Sequence, residues 1–233
     1  MHIPEGYLSP STCLTATAIM LPIWYKAVKK LKTDLPTSNI PFLSMGAVFS
    51  FIIMMFNIPV PDGTTAHATG AVIAALALGP WAAVICISVA LFIQAFVFGD
   101  GGILAFGANA FNIAFLMPFI GYYTYKFIAK NAPIGSFKQM SAAFLAGFVG
   151  LNIAALSTAI MFGIQPLLFT TADNIPLYCP YGLSVAIPAM MFAHILVAGP
   201  IEGILTAFSL KHILNSSPKL SSIMNHKEKI SNV

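Results

Sequence analysis

Long apolar stretches, separated by short polar or breaker-containing segments, organise almost the whole chain. Most of these stretches are close to the length of about 20 residues that a helix needs to cross a bilayer, and the one at 66–79 is rather short. The apolar runs predict seven transmembrane helices, at about 11–28, 40–56, 66–79, 81–98, 107–128, 139–163 and 184–210. The pattern therefore predicts a polytopic, all-α membrane protein.

The boundary at Gly79-Pro80 admits two interpretations, because this pair either kinks one long helix or separates two helices. The lysines distinguish them. They form three clusters: Lys26, Lys29, Lys30 and Lys32; Lys126, Lys130 and Lys138; and Lys211, Lys219, Lys227 and Lys229. Only two separate helices put every cluster on the cytoplasmic side, as positively charged loops prefer. The sequence thus predicts seven spans with the N-terminus outside and the C-terminus cytoplasmic. Residues 1–213 form one transmembrane domain, and 214–233 form a basic cytoplasmic tail.

Composition supports a membrane protein and excludes other classes. The chain is 58% hydrophobic and only 8% charged, against about 25% charged residues in soluble domains. The formal charge of +4 comes from lysine without any arginine, so bidentate recognition of phosphate is absent and nucleic-acid binding is not expected. The cysteines Cys13, Cys86 and Cys179 are far apart and form no CxxC motif, which gives no sign of a thiolate metal site or a disulfide framework.

The predicted topology brings the acidic loops together on the outer face. Asp62, Asp100 and Asp173 lie in these loops, and Glu5 lies in the N-terminal segment. A cation arriving from outside would meet this rim first. The alternative is that outer loops are polar simply because they face water. The sequence leaves both interpretations open.

The N-terminal dipeptide Met1-His2 has the composition of a metal chelator. Its α-amine, the amide nitrogen of His2 and His2 Nδ1 can bind one ion together when the amide proton is lost. A planar set of nitrogens that includes a deprotonated amide suits Ni(II) or Cu(II) before Zn(II), Mg(II) or Ca(II). The first residues do not resemble a cleavable signal peptide, so we expect Met1 and His2 to remain on the mature protein. Every chain begins with Met, however, and a second-position His alone is unremarkable.

His67 is the residue that makes this chelator more than a generic dipeptide. It is predicted at the outer end of the third span, on the same side as Met1 and His2. A short extended arm, stiffened by Pro4, can fold back to meet it. Its imidazole would then complete four nitrogens. The alternative is a histidine hydrogen-bonded to backbone at a helix start.

Other polar residues inside the apolar stretches are weaker candidates. His194 lies in mid-span with Glu202 about two turns later, a pattern that also arises when buried polar groups pair between helices. Gln94, Asn109 and Asn112 are placed where an amide could orient a ligand histidine, or simply tie helices together. His212 and His226 fall near or in the predicted tail.

These residues together carry a family resemblance. The chain resembles the NikM/CbiM family, the substrate-binding S components of energy-coupling-factor (ECF) transporters for nickel or cobalt. The resemblance extends to about residue 212 and rests on MHIPEGYLSP (1–10), FSFIIMMFNIPVPDGTTAHATG (49–70), FGDGGILAFGAN (98–109), PFIGYYTYK (118–126), GIQP (163–166), and PLYCPYG and AHILVAGPIEG in the last third.

The resemblance implies a six-helix S-component core with an added N-terminal helix and arm, and metal ligands at Met1, His2 and His67. Glu5, Asp62, Gln94, Asp100 and Asn109 are candidates for residues that support those ligands. The turn TTAHA resembles the nickel branch, with Co(II) as the alternative cargo, and no catalytic cofactor is expected.

The implied setting is the cell membrane of a prokaryote. The partners implied are a transmembrane coupling subunit, a pair of cytoplasmic ABC-type ATPases and a small accessory membrane subunit. In agreement, the chain contains no GxxxxGK[ST] loop for nucleotide.

Two other classes remain as alternatives. An intramembrane enzyme would have to rely on His194 and Glu202, since HExxH and GxSxG are absent. A passive metal channel would show a ring of charge or carbonyls along a pore, whereas a chelate of several nitrogens would hold the ion too tightly for rapid flux.

Overall fold

The computed structural model describes residues 2–36, 39–60 and 64–216, which fold into helices joined by short loops. The helices are α1 (Pro10–Asp34), α2 (Ile40–Met54), α3 (Ala71–Leu78), α4 (Pro80–Ile93), α5 (Phe106–Asn109), α6 (Met117–Ala129), α7 (Phe137–Gly163), α8 (Gln165–Leu168), α9 (Leu183–Ala193) and α10 (Gly199–Ser216). The predicted helical fold is confirmed. Met1, Asp62 and the part of the tail from 217 onward lie outside the described residues.

A small β-ribbon interrupts the helical pattern. Strands β1 (Ile58–Val60) and β2 (Thr64–Ala66) pair antiparallel, with Ile58 opposite Ala66. The sequence of this region predicts a polar loop instead. The ribbon fixes the approach to His67, which directly follows β2.

Local sequence explains where the long helices begin. Ser9 caps α1, because its hydroxyl accepts a hydrogen bond from the Thr12 amide at 3.1 Å, and Pro10 occupies the first turn, where its missing N–H has no consequence. Ser136 caps α7 in the same way. These caps satisfy amides that the helices leave unpaired at their ends.

The chain reverses direction at Gly79-Pro80. The chain starts beside His2 at His67, whose ring stacks on that of His2, and it is again beside His2 at Gly101. Between these points Leu78 packs with Leu31. Leu31 lies about 30 Å along α1 from Pro10, the end of α1 that follows the His2 segment, at 1.5 Å per residue. Gly79 has φ of 91°, a conformation that favours glycine. The structure therefore has two separate segments here rather than one kinked helix.

The first of those segments departs from its prediction. Helix α3 begins at Ala71 and has only 8 residues, about 12 Å of rise, while residues 67–70 are buried and non-helical. Gly70 adopts φ of 68°, so the backbone bends into the helix at that point. Such irregular backbone is acceptable at membrane depth only when protein surrounds it.

Three π-helical turns occur in the part of the chain that the structure describes. Gln94–Phe98 extends α4, Ala110–Leu116 joins α5 to α6, and His194–Ala198 joins α9 to α10. A π turn contains one residue more than an α turn, so it changes the face on which the following side chains lie, and such turns are frequent at functional sites. The first and third begin at the buried polar residues Gln94 and His194.

Three helical segments of the described chain are long and apolar enough to cross a membrane: Pro80–Phe98, Phe137–Leu168 and Leu183–Ser216. Large apolar side chains also cover the outer surface, among them Leu14, Leu21, Val48, Phe96 and Phe208. Inside, glycine permits close helix contact, because a Cβ on Gly147 would lie 2.7 Å from Glu202 O. These features describe a membrane protein. The number of spans and their sidedness stay predictions.

Candidate metal centre

The N-terminal arm, residues 2–9, is held against the end of α5 by a buried asparagine. The Ile3 amide donates to Asn109 Oδ1 at 2.7 Å, and Asn109 Nδ2 donates back to the Ile3 carbonyl at 3.1 Å. The same carbonyl accepts from the Gly102 amide at 2.8 Å. Asn109 therefore pairs with the arm as a neighbouring strand would, and the fully buried Ile3 fixes the position of His2.

The other end of the arm is anchored separately. The Ser9 amide donates to Gln165 Oε1 at 3.0 Å, and the Tyr7 carbonyl accepts from the Cys179 amide at 3.1 Å. A small apolar cluster that includes Ile3 and Leu8 packs beneath it. Both ends of the arm are therefore packed into the fold, whereas residues 4–7 between them are exposed. Gln165 lies in the GIQP motif, but that motif alone predicts no role for it.

A glycine-rich loop lies beside the arm. A Cβ on Gly101 would lie 3.2 Å from Asn109 Nδ2 and 3.6 Å from His2 Cβ, and a Cβ on Gly102 would lie 2.9 Å from the Glu5 amide nitrogen. The loop can therefore approach the arm closely only with glycine at these positions. Glu5 Oε2 accepts from the Leu104 amide at 3.2 Å, so Glu5 fastens the loop.

His2 and His67 form the centre of the site. Their rings stack with centroids 4.8 Å apart and an interplanar angle of 23°. His67 is 1% exposed, and its Nδ1 lies 3.0 Å from the Ala68 carbonyl oxygen. That contact requires a proton on Nδ1, so Nε2 carries the lone pair that a metal ion can use. Two imidazoles from distant parts of the sequence are thus brought together in a buried position.

Burial keeps the His2 imidazole neutral at neutral pH. Burial lowers the pKa of His2 to about 3 from its usual value of 6.5. Its Nδ1 lies 3.5 Å from Asp100 Oδ1. Burial also raises the pKa of Asp100. A neutral imidazole is the form that binds metal ions, and Asp100 is the nearest described carboxylate to it.

Gln94 lies near His2 with unused hydrogen-bonding capacity. It is fully buried, and within the described residues neither its Oε1 nor its Nε2 has a hydrogen-bond partner. His2 Nε2 is likewise buried without one. Gln94 raises the pKa of His2 and so partly offsets the effect of burial. The two side chains nevertheless do not meet the geometry of a hydrogen bond. Unpaired buried polar atoms are uncommon and indicate a site that a ligand completes.

Glu202 has a role that the sequence did not reveal. Its Oε2 accepts from the Thr69 amide at 2.6 Å and from the Gly70 amide at 3.2 Å. These are backbone groups of the non-helical segment after His67, which would otherwise be buried without an acceptor. Glu202 therefore stabilises that segment and is not paired with His194 as an acid-base couple. The sequence signal for such a role was a single carboxylate, Glu202, within a largely apolar span.

The structure thus brings together His2, His67, Gln94, Asp100 and Asn109, and places Glu5 beside the loop. Asn112, in the second π turn, donates to Met161 Sδ at 3.4 Å. Among the described residues, no group of three or more His, Cys, Asp or Glu side chains is arranged to hold a metal ion. Any metal site built on His2 and His67 must therefore draw ligands from other groups.

Fold and site define a class: a helical membrane protein whose N-terminal arm places His2 against the buried His67. Comparison with known proteins narrows this class. A family model described as CbiM, the cobalt uptake substrate-specific transmembrane region, matches residues 2–220. The chain belongs to the CbiM family, as its sequence motifs predicted, and members of this family are transport proteins and not enzymes.

Relatives and solved structures agree with this membership. The fused nickel transport protein NikMN of Rhodobacter capsulatus is 52% identical over 220 residues, which cover 94% of this chain but 63% of that protein. The cobalt transport protein CbiM of Lachnoclostridium phytofermentans is 35% identical over 153 residues, 64% of this chain and 59% of that protein. A crystal structure of a truncated transition metal transporter, 52% identical, superposes with a TM-score of 0.88 and covers 92% of this chain and 99% of that one. The chain thus spans less than two thirds of these two named relatives.

Proposed function

We propose that this chain captures Ni(II) as transport cargo at the outer face of the membrane through nitrogen ligands. The ligands are the amine of Met1, the amide nitrogen and Nδ1 of His2, and Nε2 of His67. The observation that carries the proposal is the buried contact of His2 with His67, one residue from the amino terminus. Family membership supports the transport role.

The proposed ligands favour a metal ion that prefers square-planar coordination. The amine, amide and imidazole of Met1-His2 close a five-membered and a six-membered chelate ring, and a deprotonated amide suits an ion that prefers square-planar geometry. Chelation requires His2 Nδ1 to turn from Asp100 toward the ion. The His2 Nε2 proton then becomes a donor, and the unpaired Gln94 Oε1 is a nearby acceptor.

Nickel is the proposed cargo and cobalt the alternative. The nickel transport protein of Rhodobacter capsulatus matches nearly the whole chain at 52% identity, whereas the cobalt transport protein named above matches 64% of it at 35%. The family model, in contrast, is described by cobalt uptake. A direct competition between Ni(II) and Co(II) for the purified chain decides between them.

The proposed setting is an ECF-type importer in the cell membrane of a prokaryote. In this scheme the chain is the S component with seven spans, the N-terminus outside and the C-terminus inside. A transmembrane coupling subunit, a pair of ABC-type ATPases and an accessory membrane subunit are the proposed partners. The energy for uptake comes from the ATPases, since this chain has no P-loop sequence. Nickel entry into vesicles that contain this chain alone would instead favour a passive channel.

The experiment that tests the proposed site changes the register of the arm. Two Gln inserted after Met1 move the amine and shift His from position 2 to position 4, so the chelate rings that an amine forms with a His at position 2 or 3 are lost, and the bulky second residue keeps Met1 in place. We expect a large fall in Ni(II) affinity, measured by competition with a coloured chelator on protein with an untagged N-terminus. The same two Gln added at the C-terminus are the matched control. Unchanged affinity after the N-terminal insertion would show that the amine and amide are not ligands.

A further inference from the structure

His194 is a buried histidine whose free nitrogen is in the form that binds metal ions. Its side chain is fully buried, and Nδ1 lies 2.7 Å from the Met190 carbonyl oxygen. Because a carbonyl only accepts, Nδ1 must carry the proton and Nε2 must carry the lone pair. Within the described residues Nε2 has no hydrogen-bond partner. His67 has the same tautomer, because its Nδ1 lies 3.0 Å from the Ala68 carbonyl oxygen.

The π turn that begins at His194 sets the direction of this side chain. Glu202 follows His194 by eight positions, and one π turn plus one α turn takes up about eight residues, so the two side chains lie on the same face of the α9–α10 helix. Glu202 contacts Thr69 and Gly70. His194 therefore faces the same non-helical segment, two turns nearer to the site.

The distances along the two elements agree. Two helical turns correspond to a rise of about 11 Å, and the extended chain from Thr69 back to Ala66 covers about 10 Å at 3.3 Å per residue. In accord with this, strand β2, which ends at Ala66, contacts the π turn at His194. His194 also interacts electrostatically with His67. His194 therefore lies near His67 in the interior of the helical bundle.

We propose that His67 and His194 form a second, inner binding site for divalent transition-metal ions. This inner site lies on the protein side of the arm, and it accepts the ion on imidazole nitrogens when the N-terminal chelate is not formed. The inference rests on the proposed metal-binding function and adds a position that the ion occupies without the arm. Because its ligands are imidazole nitrogens, the inner site should bind nickel more tightly than cobalt.

The test removes the N-terminal chelate and asks what binding remains. In a His2→Ala variant, Ni(II) binding should be weaker than in the natural chain but measurable by titration calorimetry. Adding His194→Asn should then weaken that residual binding roughly tenfold or more, since one of two imidazole ligands is lost. Asn keeps an amide N–H near the position of Nδ1, so the bond to the Met190 carbonyl persists. His212→Ala, a substitution of an exposed histidine at the other end of α10, is the matched control and should change nothing.

The outcomes separate this inference from the proposed function. If the natural chain binds Ni(II) and His2→Ala binds none, or if His194→Asn leaves the residual binding unchanged, the inner site is wrong and the arm site stands. If the natural chain itself fails to bind Ni(II), the proposed function fails. His194→Gln, which places only an amide near the Nε2 position, should give the same loss and guards against misfolding of the Asn variant. Thermal unfolding of each variant identifies misfolded protein.

Discussion

Asn109 links the arm to the helical bundle, and its replacement by leucine tests whether arm docking controls metal binding. Leucine has a similar size but cannot pair with Ile3. The Ile3 carbonyl keeps its bond from the Gly102 amide, whereas the Ile3 amide loses its described acceptor at a buried position. An unsatisfied buried N–H costs about 1–3 kcal/mol.

Taking about 2 kcal/mol for the docked arm, the expected loss of Ni(II) affinity reaches about 30-fold. The loss is smaller if the docked arm of the natural chain is favoured by more than this free energy. In that case most arms of the variant stay docked, and only the undocked fraction reduces the apparent affinity. We therefore expect a rise in Kd of roughly threefold to 30-fold. Chelator competition on purified protein with an untagged N-terminus measures it.

Gln139→Leu is the matched control for Asn109→Leu. Gln139 is also a buried amide with two hydrogen bonds, from the Gly135 amide at 2.7 Å and to the Tyr125 hydroxyl at 2.9 Å, but it lies beside the second lysine cluster, away from the arm. It should lower the unfolding temperature by a similar amount and leave Ni(II) affinity unchanged. The reasoning is refuted if Asn109→Leu binds nickel within twofold of the natural chain, or if both variants lose affinity equally.

Three further predictions follow from the same contacts. Glu202→Leu should lower the free energy of unfolding by about 1–3 kcal/mol for each of the two amides left without an acceptor, and Glu202→Gln should recover part of this in thermal unfolding; equal stability of all three proteins would contradict the role given to Glu202. Burial holds the pKa of His2 at about 3, below its usual value of 6.5, so the folded state binds fewer protons than the unfolded state between these values. The stability that this shift confers is present above about pH 6.5 and is lost on acidification toward pH 3; His2→Asn should therefore show a smaller drop in unfolding temperature between pH 7 and pH 5, and an equal drop would refute it. His67→Ala should weaken Ni(II) binding while the three nitrogens of Met1-His2 still bind, and unchanged affinity would remove His67 from the ligand set.

Much of the architecture was predictable because apolar length and breakers act locally. The reversal at Gly79-Pro80 is an example, since lysine positions distinguished it from a kinked helix. The contact of His2 with His67 was also anticipated, because placing both on one face of the membrane left only a short arm to connect them. Whether they hold a metal ion stays a prediction.

The parts that could not be predicted depend on contacts between distant elements. The segment at 67–70 borders the apolar run of α3 and was therefore predicted as the start of that helix. It is non-helical because Glu202, more than 130 residues away, supplies an acceptor for its amides. The π turn at His194 is similar, since a single extra residue changes the facing of a helix without a clear mark in the sequence. Asn109 was identified only as an amide near a helix end, and its pairing with Ile3 required the folded arm.

X-ray absorption of nickel bound to the chain with its native, untagged N-terminus is the most direct test of the proposed site. The four-nitrogen scheme predicts a planar shell of short nitrogen scatterers with the outer-shell signal of imidazole, and loss of this spectrum after two Gln are inserted behind Met1. A six-coordinate shell of oxygen ligands, or a spectrum that the insertion leaves unchanged, would contradict capture of the ion by Met1, His2 and His67.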